Sequence, residues 1–279
     1  MPDCDNNCAA CGQDCPSRKA GQADFRIPSN PLNNIKKVFA VVSGKGGVGK
    51  SMTSSLLAVN ARRKGLNVAL VDADLTGPSI PKAFGVSEMA SADETNLYPV
   101  RTKTGIETMS VNLLMDDPAA PVVWRGPVLS GLIQQFWKDV VYGDIDEMYI
   151  DMPPGTGDVP LTVFQSIPID GIIVVTSPQE LVSLIVEKAV RMANMMNVPV
   201  LALVENMAYF DCPHCGERLY PYGKGNEEEA KRLGIPFYAS LPIDPKLAAL
   251  CDSGDIESYE GTYLGELSEY LHSVEKKAK

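Results

Sequence analysis

The stretch that most limits what this chain can fold into is VFAVVSGKGGVGKS, residues 38–51. Val38 to Ser43 form a short, continuous apolar run, as expected for a parallel strand buried on both faces. A Gly-rich loop follows, then a helical stretch to about Lys64 with Leu56, Leu57, Val59 and Asn60 on adjoining turns and Gly65 as its stop. Gly44, Gly49, Lys50 and Ser51 satisfy the pattern G-x-x-x-x-G-K-[ST]. The loop residues Gly44, Lys45, Gly46, Gly47, Val48 and Gly49 let successive backbone N–H groups curl around phosphate oxygens. Lys50 can reach the β and γ phosphates, and the Ser51 hydroxyl can ligate Mg2+. The expected ligand is therefore ATP with Mg2+. Met52 stands where many such loops carry a second hydroxyl residue, but it keeps the backbone N–H that approaches the α-phosphate.

The same rhythm continues. NVALVD, EMYID, GIIVVTS and PVLALVEN read as strands, separated by helices near 128–141 and 179–196. A helix near 227–233, a short strand at PFYAS and two more helices complete the chain. Apolar strands alternating with amphipathic helices predict an α/β fold: a doubly wound, mostly parallel sheet with helices on both faces. Residues 1–34 show no apolar period and read as a cysteine-bearing tail and linker ahead of a nucleotide-binding domain spanning 35–279. No apolar run reaches the ~18 residues of a membrane span. The last helix, with Leu264, Leu267, Leu271 and Val274 on one stripe, reads as packed on the domain. The net charge of −10 disfavours nucleic acid and anionic membranes as partners. The N-terminus lacks the features of a secretory signal, so a cytoplasmic location is expected.

Seven cysteines in a reducing compartment point to metal ligation, not disulfides. Cys251 stands alone and reads as a buried, inert thiol. Cys4, Cys8, Cys11 and Cys15 place four thiolates in one short segment, with spacing similar to a ferredoxin run; a second [4Fe–4S] cluster leads, with zinc as the alternative. Cys212 and Cys215 in DCPHCGERLYPYG supply only half a tetrahedral site. A redox pair would need a helix starting at the first cysteine, and the Gly and Pro that follow argue against one. A zinc ribbon would need a second C-x-x-C. A third reading, beside redox and zinc, is an iron–sulfur cluster shared between two chains.

Two acidic sites accompany the loop. LVDADLTGPSIP ends a strand with Asp72 and Asp74, and YIDMPPGTGD ends another with Asp151. Carboxylates at these strand ends can order Mg2+ and the attacking water. Gly155, Thr156 and Gly157 form a loop able to sense the γ-phosphate. The early lysine, Lys45, resembles the deviant loop of nitrogenase iron protein and the MinD/ParA partition ATPases. That likeness implies a homodimer in which Lys45 reaches the partner's nucleotide.

GKGGVGKS, DADLTGPSIP, VVWRGP, DMPPGTGD, VENMAYFDCPHCG and LPIDP together resemble the Mrp-family ATPases, iron–sulfur cluster carriers, over about residues 36–275. The resemblance implies slow ATP hydrolysis by Lys45, Lys50, Asp74 and Asp151. Asp74 would position the water, Asp72 support the metal, and Asp151 hold a Mg2+-bound water. It implies that Asn206, Pro242 and Asp244 face the adenine. It also implies a [4Fe–4S] cluster bridged by Cys212 and Cys215 of two subunits and delivered to apo-proteins. The rival reading is an ATP-gated electron donor like nitrogenase iron protein; a partition-type switch on DNA or membrane fits the acidic charge poorly.

Overall fold

Alternation along the first strand sets the architecture. In the computed structural model, β1 (Asn34–Ser43) sends Val38, Ala40 and Val42 into one apolar cluster and Phe39 and Val41 into another. Both faces are covered, which is why the run is apolar at every position rather than at every second one. The structure describes residues 26–75, 77–115, 126–155, 157–178, 182–223 and 225–275. Cys4, Cys8, Cys11, Cys15, Trp124, Arg125 and Thr156 lie outside the described residues, and so do positions 179–181, where the sequence suggested a helix start.

β1 pairs in parallel with β7 (Asp144–Asp151) on one side and β8 (Gly171–Thr176) on the other. β2 (Val68–Asp72) lies beyond β7, and β9 (Val200–Asp211) beyond β8. β11 (Phe237–Pro242) pairs in parallel with β9. The expected doubly wound parallel sheet is present. One face packs against helices α3 (Gly126–Lys138), α4 (Asp158–Ser166) and α5 (Val182–Met195) through Ile133, Phe136, Val163, Val186 and Ala193. The other packs against α1 (Lys50–Arg63), α7 (Pro245–Ser253) and α8 (Gly265–Ser273) through Leu56, Leu57, Leu247, Leu267 and Leu271. The C-terminal stripe is thus a packed face, and Lys37 Nζ bonds the last carbonyls of α8, those of Leu271 and His272. Among the described residues, no helix is long and apolar enough to cross a membrane.

The structure departs from the sequence reading in two places. Residues 91–109 carry four short strands, β3 (Ser91–Ala92), β4 (Leu97–Tyr98), β5 (Val100–Arg101) and β6 (Glu107–Met109). β6 extends the sheet beside β2. Runs of two or three residues are too short to show a period, so tertiary pairing alone defines them. The end of the segment read as linker is also tied to the body. The Ile27 N–H donates to the Ser166 carbonyl at 2.9 Å, Trp137 Nε1 donates to the Ile27 carbonyl at 3.0 Å, and Asn30 is buried.

The short helix α2 (Ile80–Ala83) follows β2, and it is seated by backbone contact with the end of α7. Gly85 (φ 62°) and Gly254 (φ 76°) face each other so closely that a Cβ on Gly254 would lie 2.6 Å from Gly85 Cα. A left-handed φ and a backbone neighbour both exclude a side chain there. Gly254→Ala is expected to lower the unfolding free energy by about 2 kcal/mol. Urea denaturation measures this, and an unchanged midpoint would contradict the assignment.

Candidate nucleotide cleft and cysteine turn

The C-terminal ends of β1, β2 and β7 converge on one point, the position at which open α/β sheets bind ligands. The loop after β1 turns through Gly47 (φ 77°) and Gly49 (φ 83°), and Gly49 caps α1 in the left-handed conformation. Any side chain at Gly49 would collide with the Asn206 amide. Ser43 Oγ donates to the Lys45 carbonyl at 3.0 Å, and the Gly155 N–H donates to the Ser43 carbonyl at 2.8 Å. The second bond ties the loop after β7 to the base of the phosphate loop. Between them opens a cleft of about 280 Å³ walled by the loop from Lys45 to Met52 with Asp74, Gly77 and Pro154.

Polar side chains at the floor of this cleft form one network. Lys50 Nζ lies 2.8 Å from Asp151 Oδ2 and 3.8 Å from Asp74 Oδ2; Lys50 is 6% exposed and Asp151 fully buried. Ser51 Oγ donates to the same Asp151 oxygen at 2.5 Å, and Ser54 Oγ donates to the other at 2.7 Å. The donor set fits a Mg2+–nucleotide. A hydroxyl and a buried carboxylate lie in contact for the hard cation, and a lysine at a helix N-terminus stands ready for phosphate oxygens. Ser54 escaped the sequence reading, although its place one helical turn after Lys50 puts it on the same face of α1.

Asp72 pairs in register with Asp151 across β2 and β7. Its own oxygens accept from the backbone: Oδ2 from Ser79 and Ile80 at 3.0 and 3.1 Å, and Oδ1 from Asp74 at 3.2 Å. Burial, with Asp151 beside it, pushes its pKa up to about 8. Asp72 therefore shapes the loop that carries Asp74 in this arrangement; a bond from it to Mg2+ would have to compete with those three amides. The residues expected to face the adenine take these partners in the structure. Asn206 is buried on β9, and its Nδ2 donates to the Val48 carbonyl at 3.0 Å, bracing the phosphate loop from behind. Pro242 ends β11 opposite Tyr209. Asp244 caps α7, accepting from the Lys246 and Leu247 N–H groups at 2.9 and 3.2 Å and from the Tyr259 hydroxyl at 3.0 Å. Neither Pro242 nor Asp244 lines the cleft.

Cys212 and Cys215 sit at the tip of a hairpin joining β9 to β10 (Arg218–Leu219). The Cys212 N–H donates to the Glu217 carbonyl at 2.9 Å and the Gly216 N–H to the Cys212 carbonyl at 2.8 Å, with Gly216 at φ 72°. No helix begins at the pair. The backbone N–H groups of Cys215 and His214, together with the Cys215 side chain, hold the Cys212 thiol below its ordinary pKa. Cys215 is exposed. At the hairpin base Arg218 lies 3.7 Å from the centroid of the Tyr209 ring and 3.1 Å from Asp211. Cys251, by contrast, is half-buried on α7, and burial raises its pKa to about 11, in keeping with an inert thiol.

The model of the NUBPL iron-transfer P-loop NTPases, within the ParA group, matches residues 34–277. The chain belongs to this family. It is 44% identical over 261 residues to the iron-sulfur cluster carrier protein of Methanocaldococcus jannaschii, covering 91% of this chain and 90% of the relative. It is 38% identical to the cytosolic Fe-S cluster assembly factor CFD1 of Candida glabrata, covering 85% of each. A nucleotide-binding protein of Archaeoglobus fulgidus solved with ADP superposes with a TM-score of 0.74 at 43% identity, covering 81% of this chain and 90% of that one. The cell division ATPase MinD of Pyrococcus furiosus shares the fold, with a TM-score of 0.59 at 18% identity over 85% of this chain and 98% of that one.

As a member of this family, the chain places Lys50 and Ser51 at the start of α1 and Asp151 at the end of β7. Lys50→Ala would leave the buried Asp151 carboxylate without its cation and remove a charge-assisted bond to phosphate. The expected loss of ADP affinity is about 100-fold. Isothermal titration measures it, and an affinity within a few-fold of wild type would refute the assignment of Lys50.

Proposed function

We propose that the chain is an ATP-dependent iron–sulfur cluster carrier that works as a homodimer, with a [4Fe–4S] cluster as its cargo for apo-proteins. The observation that carries the reading is the cysteine turn. Two neighbouring thiols stand at an exposed hairpin tip, one of them already polarised by backbone N–H groups, in a chain whose named relatives carry or assemble such clusters. Each chain supplies two thiolates, so a two-fold axis at the tips supplies the four that a [4Fe–4S] cluster takes.

The cleft's chemistry supports ATP hydrolysis as the reaction. Lys50 would offset charge on the transferring phosphoryl group, and Lys45 would do the same across the dimer. Ser51 and Asp151 would hold Mg2+, and Asp74 would orient the water. Gly155 and its neighbours would register the γ-phosphate through the bond that ties them to Ser43. The tail cysteines Cys4, Cys8, Cys11 and Cys15 would hold a second, more retained cluster, and the whole would operate in the cytoplasm.

Anaerobic reconstitution with iron and sulfide tests the reading. The wild type is expected to take up about four iron atoms per dimer at the hairpin tips, beyond what the tail holds. Cys212→Ala/Cys215→Ala should lose that increment, and replacing the four tail cysteines should leave it intact. A dimer-breaking variant should lose it as well. A cluster retained by Cys212→Ala/Cys215→Ala in the tail-substituted background would overturn the proposal. If the cluster stayed bound while reducing a partner and never reached an apo-acceptor, the chain would be an electron donor instead.

A further inference from the structure

Glu205 is a fully buried carboxylate that has no part in the cleft or the cysteine turn. It lies on β9 next to Asn206, and its partners come from elsewhere in the chain. The Asn226 N–H donates to Glu205 Oε2 at 3.1 Å, the Asn226 side-chain amide donates to Oε1, and the Tyr238 hydroxyl on β11 donates to Oε2. The backbone at Gly225 lies so close that a Cβ there would strike both the Glu205 carboxylate and the Tyr238 hydroxyl.

Asn226 is 21 residues beyond Glu205, and the loop closed by this latch contains Cys212 and Cys215. Neighbouring side chains on a strand point to opposite faces, so Asn206 reaches the Val48 carbonyl of the phosphate loop while Glu205 grips the returning end of the cysteine loop. Directly after them β9 becomes irregular. Met207 takes φ 58°, and the pairing with β11 shifts register between Ser240 and Pro242.

We propose that Glu205 is a positioning residue for the cysteine pair, and that the adjacent residues Glu205 and Asn206 couple the phosphate loop to the two thiols. A displacement of Val48 as the loop wraps phosphate is passed to Asn206. From there it reaches the latch that fixes how the cysteine loop is presented. Opening the latch would strand a buried carboxylate, so the two ends move together. The inference rests on the nucleotide reading of the cleft, and its test reads thiols, not clusters.

Alkylation of the full-length apo-protein by iodoacetamide, followed by peptide mass spectrometry of Cys212 and Cys215, gives the readout with and without saturating MgADP. ADP binding is measured in parallel. In the wild type, ADP should change the alkylation rate by about threefold or more. Glu205→Ala should raise the ADP-free rate about tenfold and abolish the ADP dependence, with Glu205→Gln restoring part of both. Asn206→Ala should remove the ADP dependence under conditions where ADP is bound. If Glu205→Ala does not fold, Asn226→Ala and Tyr238→Phe each remove part of the latch and should give smaller increases. Wild-type rates that ignore bound ADP would overturn the coupling. Unchanged ADP-free rates in folded latch variants would overturn the positioning role. Failure of the wild type to bind ADP would instead remove the nucleotide reading itself, and the coupling with it.

Discussion

The ion pair between Lys50 and Asp151 is the contact around which the sheet's C-terminal edge is organised. Two buried charges at 2.8 Å are tolerable only when their remaining bonding capacity is filled, because desolvation costs several kcal/mol per ion. Ser51 and Ser54 fill it on the carboxylate, and the start of α1 fixes where the lysine emerges. Helix α1 can stand there only because β1 delivers the chain to that point and Gly49 turns it with a left-handed φ. The same pair occupies the groups that a phosphate and a Mg2+ ion would claim. Nucleotide binding is therefore an exchange of partners within a preformed set, at little cost in new order.

Around that pair, each strand end contributes one constraint. β7 brings Asp151. β2 brings Asp72, whose oxygens accept N–H groups from the loop bearing Asp74 and so hold it over the cleft. β9 brings Asn206 against Val48 and then runs on to the cysteine hairpin. One sheet thus connects the phosphate loop to the thiols through backbone that is hydrogen-bonded along most of its length. The Cys212 thiol is polarised by N–H groups of the hairpin itself, while Glu205 holds the returning end of the cysteine loop.

The phosphate loop, the helix after it, the parallel strands and the acidic residues at their ends were legible in the sequence. All are local patterns: a run buried on both faces, fixed spacing from Gly44 to Ser51, a carboxylate closing an apolar segment. That no helix starts at Cys212 was legible in the Gly and Pro that follow the pair. The short strands between Ser91 and Met109 were not, because each is too brief to carry a period and exists through its neighbours. Ser54 and Glu205 were also invisible as site residues. A serine inside a helix and a glutamate inside an apolar strand acquire meaning only from what the fold places opposite them.

By itself, the sequence determined that a glycine-rich loop joins a buried strand to a helix, since the apolar run suits a strand covered on both faces and glycines accept the positive φ of the turn at Gly47 and Gly49. Tertiary structure decided which partners those residues take. It set Asp72 against backbone amides, turned Asp244 to a helix cap, and closed the cysteine loop on Glu205. Each of these bonds joins groups brought together by packing, and a buried polar atom accepts the donor that the fold supplies.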